Sequence, residues 1–293
     1  MPPRRVSIAR SPAVAFADVA VGGRALRLEY ARINAKRMDA PLLVFLHEGL
    51  GSLRMWKDYP QALCDAAGVR GLVFSREGYG RSTPRSEQEV AGRVHARQAY
   101  DVLPAFFAAL RITECPWLFG HSDGGSIALL HAAAYPERVA GVIAVAPHIL
   151  VEDESIASIA AARTNYLTTD LKTRLARYHD DPDSAFWGWN DAWLDPAFRT
   201  WNIEDRLPLI RCPVLAGQGE DDQYGTMAQI DGIARGVPHA RLVKLAACGH
   251  SPHRDQPALL TAAVVHFLRE HRSPAAASTA GHPRHARGTR TVR

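Results

Sequence analysis

Residues 116–126 read Pro-Trp-Leu-Phe-Gly-His-Ser-Asp-Gly-Gly-Ser, and this stretch decides the fold of the chain. A short apolar run ends in a Gly-x-Ser-x-Gly pattern, and a helical pattern follows at once. This order predicts a strand, a sharp turn and a helix, with Ser122 strained at the turn and its hydroxyl clear of the sheet. Glycine suits positions 120 and 124 because a Cβ there would collide with the neighbouring strand or helix. We therefore predict that Ser122 is a nucleophile; the alternative is an ordinary exposed serine in a tight turn.

Apolar runs on both sides of this stretch predict a sheet. Continuous runs such as Leu42–Leu46 are typical of strands covered on both faces. Alternating runs around Gly22-Gly23 predict a hairpin at the sheet edge, and helical patterns separate the later strands, so the sheet should be mostly parallel. A long helix over about residues 87–110 should be kinked or split by Pro104. The expected strands are 14–21, 25–33, 42–46, 71–74, 116–119, 139–145, 213–217 and 241–245.

The alternation of strands and helices is interrupted over residues 148–207, which read as short helices rich in aromatic residues. Four of the six tryptophans lie there, so we expect a helical cap that forms a satellite core and an apolar lid over a pocket. The core would comprise residues 13–147 and 208–271. Residues 1–12 should be a flexible N-terminus, and residues 272–293 a disordered basic tail.

The composition, with 47% hydrophobic and 22% charged residues among 293, is that of an ordinary soluble globular protein. Five arginines and no acidic residue lie beyond residue 271, and they account for the formal net charge of +5. The rest of the chain is neutral overall, which argues against a nucleic-acid partner. No apolar run has the length of a membrane span, and the N-terminus is a poor signal peptide. Widely spaced cysteines predict buried reduced thiols in a cytoplasmic protein: Cys64, Cys115, Cys212 and Cys248.

An activated serine needs a base, and the base needs an orienting acid. Candidates for both follow predicted strands, as Ser122 does, and parallel strands bring their carboxyl ends to one edge. His250, after Gly249, is the predicted base, and His253 is its rival. Asp222 is favoured as the acid over Asp221, although spacing alone does not separate them. Further histidines near this edge are expected to be hydrogen-bonding neighbours: His47, His121 and His148.

Three motifs in this order resemble the α/β-hydrolase family: Gly-His-Ser-Asp-Gly-Gly at 120–125, Gly-Glu-Asp-Asp at 219–222 and Cys-Gly-His-Ser-Pro-His at 248–253. The resemblance spans roughly residues 42–271 and implies an α/β fold, with a mostly parallel eight-stranded sheet, helices on both faces and a small helical cap after the sixth strand. It also implies a Ser122-Asp222-His250 triad. The family's oxyanion hole, formed by backbone N–H groups, falls on Gly49 and Asp123.

Two departures from the family pattern stand out. Glu48 replaces the usual glycine after the loop histidine, which puts a carboxylate near the pocket floor and leaves the second oxyanion donor open between Gly49 and Leu50. Ser75-Arg76-Glu77-Gly78 stands where the family has Asp-x-Arg-Gly, and no catalytic conclusion follows from it. The expected substrate pocket comprises Glu48 and His121 with three tryptophans of the lid, Trp187, Trp189 and Trp193.

The expected reaction is hydrolysis of a small carboxylic ester through an acyl-enzyme, with no metal or organic cofactor. A carbon–carbon bond hydrolase, a lactonase and a perhydrolase remain alternatives on the same triad. Carbon–carbon hydrolases of this family usually carry tryptophan after the triad histidine, whereas this chain has Ser251. The chain also resembles biphenyl-hydrolase-like and valacyclovir-hydrolase-like members, so Asp123 could bind a cationic substrate group or simply hydrogen-bond its neighbours.

The expected partner is a small-molecule ester. Neither nucleic acid nor a membrane is expected, and the choice between monomer and dimer stays open. A non-enzymatic ligand receptor on the same fold is disfavoured, because all three triad residue types occur in the order serine, acid, histidine.

Overall fold

A computed structural model describes residues 13–85 and 93–271. The predicted flexible N-terminus, the basic tail and residues 86–92 of the predicted long helix lie outside these ranges. The described chain forms one eight-stranded sheet in the order β1-β2-β4-β3-β5-β6-β7-β8. Its strands are β1 (Val14–Val21), β2 (Arg24–Ile33), β3 (Leu42–Leu46), β4 (Arg70–Phe74), β5 (Trp117–His121), β6 (Gly141–Val145), β7 (Val214–Gly219) and β8 (Arg241–Leu245).

The sheet is parallel from β4 to β8 and antiparallel only where the β1–β2 hairpin joins it. The hairpin turns at Gly22-Gly23, both of which have a positive φ that glycine adopts without strain. Every residue of β3, β5 and β6 is buried, as their continuous apolar sequences predict for strands covered on both faces. The predicted fold class is thereby confirmed.

Ten α-helices lie in the described ranges: α1 (Tyr59–Ala67), α2 (Val94–Arg97), α3 (Leu103–Ala109), α4 (Asp123–Ala134), α5 (Asp153–Thr168), α6 (Leu171–Leu175), α7 (Pro182–Leu194), α8 (Ala228–Gly236), α9 (Pro252–Asp255) and α10 (Pro257–Glu270). Short 3₁₀ helices span Leu53–Trp56, Pro196–Thr200 and Glu204–Leu209. None of these helices combines the length and the apolar character that a membrane crossing requires.

The core consists of two apolar layers, one on each face of the sheet. Alternate residues of β3 divide between the layers, so Val44 packs on the side of α3, α4 and α8, and Phe45 packs on the side of α1 and α10. The strands thus pack between helices on both faces. The carboxyl ends of β3 to β8 lie at one edge of the sheet. This edge carries the predicted site residues.

The described part of the predicted long helix runs as α2, a π-helical turn at Gln98–Val102 and α3, and the residues at both junctions keep right-handed helical angles, so Pro104 does not split it in two. Pro104 lies at the start of α3, directly after the π-helical turn. The carbonyl oxygen of Tyr100, four residues before the proline, accepts a hydrogen bond of 2.8 Å from the hydroxyl of Tyr135. The side chain thus replaces the backbone donor that proline lacks.

Helices α5 to α7 lie between β6 and β7, where the sequence predicts the cap. Their aromatic residues form a third cluster, apart from the two sheet layers, in which Tyr166 stacks on Phe186 with ring centroids 3.8 Å apart. The short pairing of Leu150 with Asn202 joins the two ends of the segment.

Three of the four cysteines are free and buried, as expected, but Cys115 is exposed. It lies in the loop that leads into β5, where its sulfur faces the carbonyl oxygen of Glu137 at 3.3 Å. The prediction of a buried thiol is therefore wrong for Cys115, because a loop residue next to an apolar run need not share the burial of that run.

Candidate active site

The turn between β5 and α4 holds Ser122 at φ 54° and ψ −121°, a strained conformation for a residue with a side chain. A Cβ on Gly120 would overlap the carbonyl group of Gly124, and a Cβ on Gly124 would overlap the carbonyl group of Leu46. Glycine at both positions lets the strand and the helix approach closely enough to form this turn. The predicted strand, turn and helix are therefore present.

Ser122, His250 and Asp222 lie in one hydrogen-bonded line. Nε2 of His250 is 2.9 Å from Oγ of Ser122, and Nδ1 of His250 is 2.8 and 2.9 Å from the two carboxylate oxygens of Asp222. An ionised carboxylate only accepts hydrogen bonds, so Nδ1 carries the proton and Nε2 presents its lone pair to the serine hydroxyl. Three residues that lie far apart in the chain thus meet after β5, β7 and β8.

The Asp222 carboxylate is enclosed by donors. The backbone N–H of Tyr224 donates to Oδ1 at 2.8 Å, and Nε2 of Gln218 donates to Oδ2 at 3.1 Å. Burial alone would raise the pKa of Asp222, but the hydrogen bond and charge of His250 and the Tyr224 N–H outweigh it and hold the pKa below its ordinary value. Its rival Asp221 is exposed, and its backbone N–H donates to the carbonyl oxygen of Cys248.

His253, the rival base, is buried among aromatic rings. Its ring lies 5.0 Å from Trp56, 5.6 Å from Tyr59 and 4.7 Å from His121, measured between centroids. Burial, with the charge of His121, lowers the pKa of His253 to about 2. The residue that is hydrogen-bonded to Ser122 is therefore His250, and His253 lies next to His121 instead.

The loop after β3 carries the predicted oxyanion donor. Nδ1 of His47 donates to the carbonyl oxygen of Glu48 at 2.7 Å, and Nε2 of His47 accepts from the backbone N–H of Arg76 at 3.0 Å. The Arg76 guanidinium also donates to the carbonyl oxygen of Glu48 at 2.9 Å. Through these hydrogen bonds, Arg76 in the loop after β4 holds the backbone of Glu48, the residue before Gly49.

The cap lies directly on this loop. A Cβ on Gly49 would overlap the indole of Trp189, a residue of α7, so the indole packs directly against the backbone of Gly49. His179, between α6 and α7, links the two loops: Nε2 donates to the carbonyl oxygen of Leu50, and Nδ1 accepts from the backbone N–H of Gly80, both at 3.0 Å. Backbone contact of this kind carries no periodic sequence signal, and the sequence prediction did not include His179.

The Asp123 carboxylate, next to Ser122, is buried among groups of the protein itself. Nε1 of Trp193 donates to its Oδ1 at 3.1 Å, Nε2 of His95 lies 3.0 Å from the same oxygen, and the Arg76 guanidinium lies 3.9 Å from Oδ2. Burial would raise the pKa of Asp123, but His95 and Arg76 hold it well below its ordinary value. These contacts favour the expectation that Asp123 hydrogen-bonds its neighbours over the hypothesis that it binds a substrate cation.

The predicted pocket residues fall into three groups. His121 is buried behind His250, with ring centroids 5.2 Å apart, and the Glu48 side chain beside it is 17% exposed. Trp189 packs against Gly49 in the loop after β3, and Trp193 contacts Asp123 next to Ser122, as described above. Trp187 packs within the cap itself, against Tyr166 and Phe186.

Two neighbours of His250 were not singled out as pocket residues. The His148 ring, just after β6, lies 5.9 Å from that of His250 and 4.8 Å from that of Trp193. The Tyr224 ring lies 4.8 Å from that of His250. Each follows the carboxyl end of a parallel strand, so position alone could have identified them. Across the described ranges, no group of three or more His, Cys, Asp or Glu side chains has a metal-binding arrangement.

Comparison with known proteins gives related sequences and folds. The chain is 29% identical over 257 residues to a putative carbamate hydrolase, RutD, of Pseudomonas savastanoi pv. phaseolicola, covering 80% of this chain and 96% of the relative. It is 23% identical to a 2-hydroxy-6-oxo-6-phenylhexa-2,4-dienoate hydrolase of Comamonas testosteroni, covering 79% of this chain and 89% of the relative.

Among solved structures, the enol-lactonase of Burkholderia xenovorans LB400 superposes with a TM-score of 0.69 at 22% identity, over 87% of this chain and 100% of that one. This likeness concerns the fold. The model of the alpha/beta hydrolase family matches residues 43–264, which cover β3 except for its first residue and all of β4 to β8. The chain therefore belongs to the alpha/beta hydrolase family.

Proposed function

We propose that this hydrolase cleaves small carboxylic esters through an acyl-enzyme, with Ser122 as the nucleophile, His250 as the base and Asp222 as the orienting acid. The observation that carries the proposal is the line of hydrogen bonds from Asp222 through His250 to Ser122. The strained turn supports it, because a serine at positive φ between a strand and a helix presents its hydroxyl at the edge of the sheet.

In the proposed reaction, Oγ of Ser122 attacks the ester carbonyl carbon while Nε2 of His250 takes the hydroxyl proton. The tetrahedral intermediate then breaks its bond to the alcohol oxygen, which receives that proton from Nε2. A water molecule, deprotonated by Nε2, attacks the acyl-enzyme, and the acid leaves as Ser122 regains its proton. Asp222 stays ionised throughout, which matches the lowered pKa of its carboxyl group.

The negative charge on the intermediate's oxygen needs donors. The first proposed donor is the backbone N–H of Asp123, the first residue of α4. The second proposed donor is the backbone N–H of Gly49 or Leu50. Loss of one such donor typically raises the barrier by about 2.7–4 kcal/mol. The indole of Trp189 packs against the Gly49 backbone, and it would shield the developing charge from water and so strengthen the hydrogen bonds to it.

The residues around the triad favour a modest apolar group on the substrate. Trp189 and Trp193 provide apolar surface, while His148 and Tyr224 add polar edges beside His250. Side chains of this mixture would suit a short acyl chain or a small aromatic alcohol better than a large polar group.

Carbon–carbon bond hydrolysis is the second candidate, favoured by the Comamonas relative, whose name describes an oxo-phenylhexadienoate substrate. The same triad would serve it. Ser251, where such enzymes usually carry tryptophan, counts against it. A carbamate, after the Pseudomonas relative, a lactone and a peracid-forming reaction belong in the same substrate panel.

The test is covalent labelling with a fluorophosphonate probe, followed by a panel of p-nitrophenyl esters of graded chain length. The native protein and Ser251→Ala should be labelled and active, since the Ser251 side chain lies outside the hydrogen-bonded line. Ser122→Ala should remain folded, lose labelling and lose ester turnover. Full labelling of Ser122→Ala would refute the nucleophile, and turnover of a carbon–carbon substrate with no ester turnover would favour the second candidate.

A further inference from the structure

A second carboxylate and imidazole, those of Glu48 and His121, lie close to His250. Nε2 of His121 is 2.7 Å from the backbone carbonyl oxygen of His250, and Nδ1 of His121 is 3.4 Å from Oε2 of Glu48. Glu48 is the residue that departs from the family pattern in the loop after β3. The two side chains therefore connect that loop to the backbone of the base.

The hydrogen-bonding capacity of the groups bears on the protonation state of His121. A carbonyl oxygen only accepts, so Nε2 must carry a proton in its 2.7 Å bond with His250. An ionised carboxylate also only accepts, so a proton on Nδ1 would let the ring donate to Oε2 of Glu48, which lies 3.4 Å away.

The Glu48 carboxylate also packs closely against the backbone of its own loop. A Cβ on Gly51 would lie 2.5 Å from Oε2 of Glu48, so the carboxylate rests against bare backbone. Arg254 lies 3.6 Å from Oε1. Burial would raise the pKa of Glu48, but the hydrogen bond and charge of His121 hold it well below the ordinary value. The charged and titratable groups that face His121 are Glu48, His250 and His253, and Arg254 faces Glu48.

We propose that Glu48 and His121 form a carboxylate–imidazolium pair that positions His250 through its backbone carbonyl, a role that rests on the proposed function of His250 as the base. Asp222 fixes the imidazole of His250 from the side-chain end, and His121 fixes the same residue from its backbone. The Glu48 carboxylate lies one residue from the proposed oxyanion donor Gly49, where its negative charge would repel the developing negative charge of the intermediate. The positive charge of His121 compensates the negative charge of Glu48 and so reduces this repulsion.

The direct test is ¹⁵N NMR of histidine-labelled protein at pH 7, with the His121 signals assigned by their loss in His121→Gln. The native protein should show both ring nitrogens of His121 protonated. Glu48→Gln should convert His121 to a neutral ring that is protonated at Nε2 only. A neutral ring in the native protein would refute the pair, whether or not the protein hydrolyses esters.

Kinetics then test the positioning role. Glu48→Gln should lower kcat by up to about 100-fold through misplacement of His250, while KM changes little. Asp221→Asn is the matched control, because it removes an exposed carboxylate near the same edge and should leave kcat unchanged. An unchanged kcat in Glu48→Gln would refute the positioning role. If the native protein turns over no ester while the imidazolium is present, the proposed function fails and the pair stands.

Discussion

Replacing Asp222 with asparagine would remove one of two acceptor oxygens that three donors share. Tyr224 N–H donates to Oδ1, Gln218 Nε2 donates to Oδ2, and the Nδ1–H of His250 lies within 2.9 Å of both. Gln218 cannot simply turn over, because its Nε2 also donates to the carbonyl oxygens of Gly225 and Thr226. Whichever way the asparagine amide turns, its NH₂ group faces at least one donor.

The size of the effect follows from this arrangement. A buried donor left without a partner costs about 1–3 kcal/mol of stability, which corresponds to roughly 2–10 °C in Tm for a domain of this size. Catalysis should suffer far more, because His250 loses the acceptor that keeps its proton on Nδ1. A drop in kcat of about 10⁴-fold is the known scale for this change in a serine triad, or about 5 kcal/mol of barrier.

The assay is hydrolysis of p-nitrophenyl butyrate by Asp222→Asn, with thermal unfolding of the same samples. Asp221→Asn is the control of equal charge change, and we expect native kcat and Tm from it. The reasoning would be refuted by an Asp222→Asn protein that retains kcat within about tenfold, or by a greater loss in the Asp221→Asn control.

Two further changes probe the nucleophile turn and its neighbour. Gly124→Ala should lower Tm by several degrees at least, at a cost of about 1–3 kcal/mol or more, because the new Cβ overlaps the carbonyl of Leu46, whereas in Gly217→Ala the nearest atom to the Cβ is 3.6 Å away. Equal Tm values for the two variants in thermal unfolding would contradict this. Ionised Asp123 has a pKa below its ordinary 3.8, so it stabilises the native state above about pH 4 and this contribution is lost as the pH falls. Urea unfolding at pH 5, 4 and 3 should therefore show a shallower loss of stability in Asp123→Asn than in the native protein, and equal slopes would count against it.

The fold could be predicted closely because its signals are local. Apolar runs such as Leu42–Leu46 mark buried strands, and the glycines around Ser122 mark the turn, since they form one continuous pattern in the sequence even though the close contact of Gly124 is with the distant Leu46. The placement of His250 and Asp222 also followed, because the ends of parallel strands meet at one edge.

What the sequence did not provide depends on contacts between distant segments. His95 and Arg76 approach Asp123 from two other parts of the chain, and neither lies in a pattern that names its partner. The same holds for His121 and Glu48, whose pairing requires the loop after β3 and the strand β5 to lie side by side. Asp222 and Asp221 differ only in which carboxylate the backbone turns inward, and the turn after β7 decides that.

The way α5 to α7 are attached constrains any attempt to exchange them for the equivalent segment of a relative. His179 holds the backbones of Leu50 and Gly80, and Trp193 holds Asp123, so the segment is joined to three separate loops of the catalytic edge. A chimera that imported only the helices would leave two backbone groups without their side-chain partners, and the buried Asp123 carboxylate would keep only His95 and Arg76. Grafts aimed at altered substrate choice should carry a histidine and a tryptophan at these two positions, or replace the receiving loops together with the helices.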